Sequence, residues 1–371
     1  MYYLDEPLVG KKEIKYLNQS IKSGWISSQG PFVKKFEKKF ANYIGVKYAI
    51  SCASGTAALS LLFKTLNLKK GDEVIMPALT FSADGFALLQ SGAKLVFVDC
   101  SPKSFCMDIN AVIKKITKKT KMICPTHLYG FPADLDSLQK ICKKKKIYLV
   151  EDCSQASGTK YKGKKVGSFG DFNIHSFHNK LIASGEGGMI TTNNKNLAKR
   201  FEYLKNPPSV NRPEEMNGFK EISLNQRLSN LHAAVGLAQL ERLEKNIKKK
   251  NAMAKIYSSI FEKSKLINFI KPNKNERVVY WRYTIFLDKK INRKKFIKIL
   301  KSFGVITRET YLPLHLHPIF KNKKKKKLNL PNCEEIAKFG LDIPSGVSLK
   351  RKNIIYIANK IVDTAKKLSK K

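Results

Sequence analysis

Between residues 48 and 150, short apolar runs alternate with longer stretches whose apolar positions recur every three or four residues. The runs at 48–51, 73–76, 94–98, 122–126 and 147–150 read as strands buried on both faces. The stretches at 56–66, 82–90, 109–116 and 134–143 carry the helical period. Such an alternation of strand and helix predicts a parallel sheet with right-handed crossovers, an α/β fold. A further strand is predicted at 187–191, and a long helix at 230–254, where Leu231, Ala234, Val235, Ala238 and Leu240 form an apolar face. The pattern then changes. Residues 278–287 alternate aromatic and polar positions like an antiparallel strand, and 296–303, 332–339 and 354–367 read as helices. The chain is therefore expected to divide into a large α/β domain over 1–249, with an N-terminal segment, and a smaller α+β domain over 250–371.

Composition narrows the class. No stretch is long and apolar enough to predict a membrane span, and the N-terminus shows no secretory pattern. Seven cysteines are scattered without a paired spacing, which argues against a disulfide framework or a structural metal site and fits a cytoplasmic protein. The net charge of +42 raises the question of nucleic acid. Only nine of the 71 basic residues are arginine, the residue preferred for reading phosphates and base edges. The excess reads as a solvated lysine surface that would attract an anionic small molecule, not as a nucleic-acid site. The lysine run at 143–146 reads as a helix end and that at 323–327 as a loop.

Against this background one lysine stands apart. From 166 to 194 the chain keeps only Lys180, set among small and apolar residues ahead of Gly185-Glu186-Gly187-Gly188. Burial disfavours the charged form of an amine, and a neutral amine can form a Schiff base with an aldehyde. Pyridoxal phosphate chemistry needs such a lysine. It also needs a carboxylate at the pyridine nitrogen, a helix N-terminus for the phosphate and an aromatic ring on the cofactor face. Ser54-Gly55-Thr56 follows a strand and opens a helix; alone it would be read as a helix cap. Phe81 follows the strand ending at Met76 and would suit stacking, although a lone phenylalanine belongs more often to a core. Asp152 and Gln155 follow the strand at 147–150, at the end where open α/β sheets bind ligands. Each of these features has an ordinary structural explanation; their conjunction in one chain does not.

Taken together these motifs resemble the DegT/DnrJ/EryC1/StrS family of pyridoxal-phosphate sugar aminotransferases, and within it the perosamine synthase-like members. The resemblance extends over residues 25–31, 54–59, 71–75, 127–130, Glu151-Asp152, Asn179-Lys180, 185–188, 233–241 and 313–316. It implies a fold-type I aminotransferase with a mainly parallel central sheet, and a homodimer with active sites at the subunit interface. By motif, Lys180 would hold the cofactor aldehyde and later move the proton between cofactor and sugar carbon. Asp152 would pair with the pyridine nitrogen and Gln155 with the ring hydroxyl. Gly55 and Thr56 would hold the phosphate, Phe81 would stack, and Asn225 would reach the phosphate from the partner subunit. Ser27, Glu186, Tyr311 and His315 would lie near the nucleotide-sugar, His315 closest to the diphosphate. The chain departs from the family at Asp84, where asparagine is common, and at Ala183-Ser184, where two threonines are common. These changes are expected to bear on substrate choice and not on the core machinery. It also departs at one ligand position. Where a phosphate-binding serine usually stands five residues before the lysine, this chain has His175, followed by Ser176. Either the loop presents Ser176 or His175 binds the phosphate.

The resemblance implies transfer of an amino group from L-glutamate to a keto group, the 4-keto in the first instance, of a 6-deoxy nucleotide-diphospho-sugar for surface polysaccharide or glycan synthesis. Two alternatives remain. Sugar dehydratases of the same family carry histidine in place of the lysine, which Lys180 opposes. A non-catalytic regulator or nucleic-acid-binding protein on the same fold would draw its only support from the charge.

Overall fold

The computed structural model describes residues 1–102, 104–206, 221–321 and 328–370. The lysine run at 323–327 lies outside the described residues. Two helices open the chain, α1 (Lys11–Lys22) and α2 (Pro31–Ile44). There follow β1 (Tyr48–Cys52), α3 (Gly55–Thr65), β2 (Glu73–Pro77), α4 (Ser82–Ser91), β3 (Lys94–Val98), α5 (Ile109–Lys115), β4 (Thr120–Ile123), α6 (Leu135–Lys145) and β5 (Tyr148–Asp152). The two-residue strands β6 (Lys160–Tyr161) and β7 (Lys164–Lys165) precede β8 (Phe172–Ser176), β9 (Gly188–Thr192) and α7 (Lys195–Lys205). The remainder comprises α8 (Asn230–Phe261), β10 (Ile267–Asn268), β11 (Glu276–Arg277), β12 (Tyr283–Leu287), α9 (Arg293–Ser302), β13 (Arg308–Glu309), α10 (Pro331–Phe339), β14 (Gly340–Ile343) and α11 (Arg351–Ser369).

The large sheet has seven strands in the order β1-β9-β8-β5-β4-β2-β3. From β8 to β3 every pairing is parallel, as the strand–helix alternation predicts. The β1 end differs: β9 is antiparallel to both β8 and β1, so the run at 48–51 pairs only antiparallel. The physical reason is a hairpin. The chain turns back from β8 through the Lys180 loop instead of crossing over a helix, and a hairpin can join only antiparallel neighbours.

A second sheet, β10-β12-β14-β13, packs against α9, the end of α8 and α11 around Tyr257, Phe261, Tyr283, Phe296, Ile357 and Ile361. The helix predicted at 230–254 runs on to Phe261, so the proposed boundary at 249/250 falls inside one continuous helix. Its first half contributes Leu237, Leu240 and Leu243 to the large core; its last turns contribute Tyr257 and Phe261 to the small one. The first residues join the small sheet's surroundings, with Tyr2 bridged to Val305 and Ser345 N–H donating to Leu4 O at 2.8 Å.

The strand predicted at 278–287 forms only over its second half, as β12. Before it, the backbone finds side-chain partners instead of a ladder. Val279 N–H donates to Thr159 Oγ1 at 3.2 Å, and Trp281 C=O accepts from Lys250 Nζ at 2.7 Å. That irregular segment carries Trp281 and Arg282 toward the end of the large sheet. Lys143–Lys145 close α6, and Lys146 adopts the left-handed conformation of a helix C-cap, φ 54°.

Candidate active site

The site is built where β1, β2, β5 and β8 end. Ser54 caps α3, its Oγ accepting from Ala57 N–H at 3.0 Å. That leaves the amides of the first turn unpaired within the helix, a ready anion site. A Cβ on Gly55 would lie 2.8 Å from Ser176 Cβ, and one on Gly188 would lie 2.4 Å from Ser54 O. The two glycines thus let the start of α3 press against the ends of β8 and β9. Thr56 is exposed at this turn.

Ser176 and His175, adjacent on β8, point to opposite faces of the sheet. Ser176 faces Gly55 in the cradle. His175 does not reach the cradle. It is wholly buried behind the sheet, its ring edge-on to Phe40 at 4.8 Å and its Nε2 3.5 Å from Thr191 Oγ1. Burial pushes its imidazole down to about 3, and the neighbouring His127 adds to the effect. Of the two readings left open at the phosphate position, the geometry supports Ser176. His178, the other nearby histidine, is exposed and pairs with Glu186 at 3.0 Å.

The loop from 177 to 187 is closed by its own backbone: Phe177 N–H to Gly187 O at 2.9 Å and Ser184 N–H to Phe177 O at 3.0 Å. Asn179 takes a positive φ of 43°. Lys180 follows, partly buried, with Nζ 3.7 Å from the centroid of the Trp281 ring and 5.9 Å from that of Phe81. Its amine is pushed down to about 8, first by burial and then by the Arg282 charge, with Asp152 and Asp5 opposing. Phe81 itself is 47% exposed, a large apolar face open beside the lysine.

Asp152 ends β5 almost fully buried, and its Oδ1 accepts from Ser154 N–H at 2.9 Å. Glu151, its neighbour, points the other way. It accepts from Gly167, Phe169 and Gly170 amides at 2.8–2.9 Å and pairs with His127 Nε2 at 3.0 Å. Gln155 Oε1 accepts from Tyr129 N–H at 2.9 Å, which leaves its amide NH2 as a donor. Tyr129 has φ 55°, and Gly130 beside it has φ 92°; a Cβ on Gly130 would meet Val279 O at 2.0 Å.

Of the residues assigned to the sugar nucleotide, Tyr311 is brought to the site. Its ring stacks on Tyr129 at 5.7 Å and meets Phe81 edge-on at 5.9 Å. His315 is buried against Glu334, Nε2 to Oε1 3.1 Å, and its Nδ1 has no partner among the described residues. Ser27, Glu186 and Asn225 are exposed on this chain, Asn225 accepting from Arg227 Nε at 2.9 Å.

Sequence reasoning missed the wall opposite Phe81. Trp281 Nε1–H donates to Asp5 Oδ2 at 3.0 Å; the fully buried Lys250 holds Asp5 in turn. Arg282 stacks on the same indole at 4.3 Å and pairs with Asp342 at 3.2 Å. Burial pushes the Asp342 carboxyl up to about 6, against the pull of Arg282. Nothing in the local pattern of 278–287 separates Trp281 from an ordinary strand aromatic.

Residues 7–362 match the family model described as the DegT/DnrJ/EryC1/StrS aminotransferase family. The chain is 36% identical to the GDP-perosamine synthase of Escherichia coli O157:H7, over 96% of each chain. Among solved structures it resembles PseC of Helicobacter pylori, an aminotransferase of pseudaminic acid biosynthesis, with TM-score 0.92, 25% identity and 99% of each chain covered. It also resembles the pyridoxal-phosphate form of Spr1654 of Streptococcus pneumoniae, with TM-score 0.91, 26% identity and 99% of each chain covered. A matching family model over nearly the whole length, agreeing with a lysine, a carboxylate and a helix start at one sheet end, places this chain in the DegT/DnrJ/EryC1/StrS aminotransferase family.

Proposed function

We propose that this pyridoxal-phosphate-dependent nucleotide-sugar aminotransferase moves the amino group of L-glutamate to the 4-keto position of a 6-deoxy nucleotide-diphospho-sugar. The observation that carries the reading is the Lys180 amine, brought down to about 8 between Trp281 and Phe81 and facing Asp152. The surroundings fit the cofactor: the first-turn amides of α3, brought against Ser176 by Gly55, and a buried carboxylate at Asp152. When bound, pyridoxal phosphate supplies an electron sink and a carrier for the amino group.

The residues then divide the work. Gly55 and Thr56 amides and the Ser176 hydroxyl hold the phosphate at the start of α3. Phe81 covers one ring face. Asp152 keeps the pyridine nitrogen protonated, and the free NH2 of Gln155 donates to the ring oxygen. Lys180 Nζ would move the proton between carbons of the bound groups, a role suited to an amine whose proton exchange is brought near neutral pH. Arg282 remains paired to Asp342, and its charge keeps Lys180 from holding its proton too tightly. Tyr311 and Trp281 offer flat apolar faces to a pyranose, and His315, with an unpartnered Nδ1, suits the diphosphate. Ser27 and Glu186 complete the nucleotide-sugar contacts.

The active unit is a homodimer in which Asn225, exposed on one subunit, reaches the phosphate of the other. The enzyme acts in the cytoplasm and feeds synthesis of a surface glycan such as lipopolysaccharide, without nucleic acid or membrane as partner. The test is the absorbance of purified protein with pyridoxal phosphate, before and after L-glutamate. A lysine-bound cofactor band that bleaches with glutamate, and is absent from Lys180→Ala, supports the reading. A band that survives Lys180→Ala overturns the role of Lys180.

A further inference from the structure

Asp152 is not the only carboxyl at the depth of the site. Asp84, in the first turn of α4, is 3% exposed and lies within hydrogen-bonding reach of Asp152. Its Oδ2 accepts from Thr80 Oγ1 at 2.5 Å and stands 3.5 Å from Thr126 Oγ1. The two hydroxyls lie 3.0 Å apart, so they form a cluster around that one oxygen. Thr126 is bridged to Asp152 through the sheet, and Thr80 and Asp84 reach the same place from the end of β2 and the first turn of α4. The Cys124 thiol is pushed up by burial and by both carboxyls, and Lys180, Tyr311 and Cys153 also feel the Asp152 charge. No cation is paired with Asp84 among the described residues.

Two carboxylates in contact in a dry site cannot both be ionised; one keeps a proton, as in the shared-proton pairs of acid proteases. The surroundings of each carboxyl decide which one. Asp152 accepts a backbone amide from Ser154, a bond that favours the charged form. Asp84 accepts from the Thr80 and Thr126 hydroxyls, which pull its carboxyl down, but less strongly than burial and the Asp152 charge push it up. The start of α4 would favour an anion by its dipole, but burial and the neighbouring charge act more strongly and raise the Asp84 carboxyl well above its ordinary range.

We propose that Asp84 is a neutral carboxylic acid that donates a hydrogen bond to Asp152 and so aims the Asp152 carboxylate at the cofactor's ring nitrogen. Asp84 is thus a positioning residue for the transamination. Thr80 and Thr126 hold its acceptor oxygen, Oδ2, and its proton lies on Oδ1. The pair carries one negative charge, which matches the single positive charge of a protonated pyridine. This inference deepens the assignment of Asp152 made above and rests on it.

The proton is tested first on the full-length protein free of cofactor, by infrared spectroscopy at about pH 8, where Asp342, raised only to about 6, is ionised. Wild type should show the carbonyl band of a neutral carboxylic acid, sensitive to deuterium, and Asp84→Asn should lack it. A wild type without the band, or an Asp84→Asn that keeps it, overturns the proposal. The positioning role is tested by titrating cofactor into both variants. Asp84→Asn retains a donor toward Asp152 and should bind within about threefold of wild type, whereas Asp84→Ala should bind at least about tenfold more weakly. Equal affinities, or equal losses, in the two variants overturn it. Should wild type show the band but bind no cofactor, it is the reading of Asp152 that fails, not the shared proton.

Discussion

Single side chains set the chemistry by what surrounds them. Lys180 is one of many lysines in a chain of net charge +42, and burial together with the Arg282 charge is what lowers its amine and suits it to the proposed role. An amine brought down to about 8 is protonated below that value, so capture of pyridoxal phosphate should slow about tenfold for each pH unit below 8 and level off above it. Stopped-flow absorbance on cofactor-free protein measures this; a plateau extending down to pH 6 would contradict the lowered value. The neighbouring residues on β8 separate just as sharply. Ser176→Ala should weaken cofactor binding roughly tenfold, by loss of a hydrogen bond to a charged phosphate, with little effect on melting. His175→Ala should do the reverse, costing about 2 kcal/mol of stability through the cavity it opens against Phe40 and leaving cofactor affinity near wild type. Fluorescence titration and thermal melts of the two variants distinguish these outcomes.

Elements place these side chains through strand period and a few buried polar staples. On β5 the two-residue period sends Glu151 to the amides of 167–170 and Asp152 to the site, so adjacent carboxylates serve architecture and chemistry separately. Asn230 staples the start of α8 to the N-terminal helices. Its Oδ1 accepts from Phe32 N–H at 2.8 Å, and its Nδ2 donates to Ser20 Oγ and Trp25 O at 2.7 and 2.5 Å. Replacing it by alanine strands a buried Phe32 amide, and Asn230→Ala should cost about 3 kcal/mol in denaturant unfolding. A loss under about 1 kcal/mol would mean that water takes over these bonds. The elements legible in the sequence are those with long uninterrupted periods, such as α8 and the strands from β2 to β5. The polar run Phe172-Asn173-Ile174-His175-Ser176 lacks the apolar continuity of those strands, because Asn173 and His175 are buried with partners that the local pattern does not reveal.

At the scale of the whole molecule, the homodimer proposed above has a test that does not depend on its symmetry being seen directly. Lys180→Ala and Asn225→Asp should each be impaired, because they damage opposite halves of a shared site. Mixed dimers would then hold one intact site, and random assortment of the two inactive variants should restore about a quarter of wild-type activity. No recovery after mixing, with exchange of subunits verified, would place Asn225 outside the partner's site. The lysine-rich surface acts at the same scale. Attraction of a diphosphate by a positive field is screened by salt, so KM for the sugar nucleotide should rise with ionic strength while kcat changes little.

The sequence by itself determined the fold class and the family and pointed to Lys180, Asp152 and Gly55 for the site, because each lies in a local pattern: a strand end, a helix start, a lysine isolated from other lysines. Only the tertiary structure decided that Ser176 and not His175 meets the cradle, that Trp281 covers Lys180, and that Asp84 lies against Asp152. Those facts depend on which strands become neighbours and which face each side chain takes. A contact between distant segments leaves no period in the chain, so its chemistry becomes visible only when the sheet has brought the residues together.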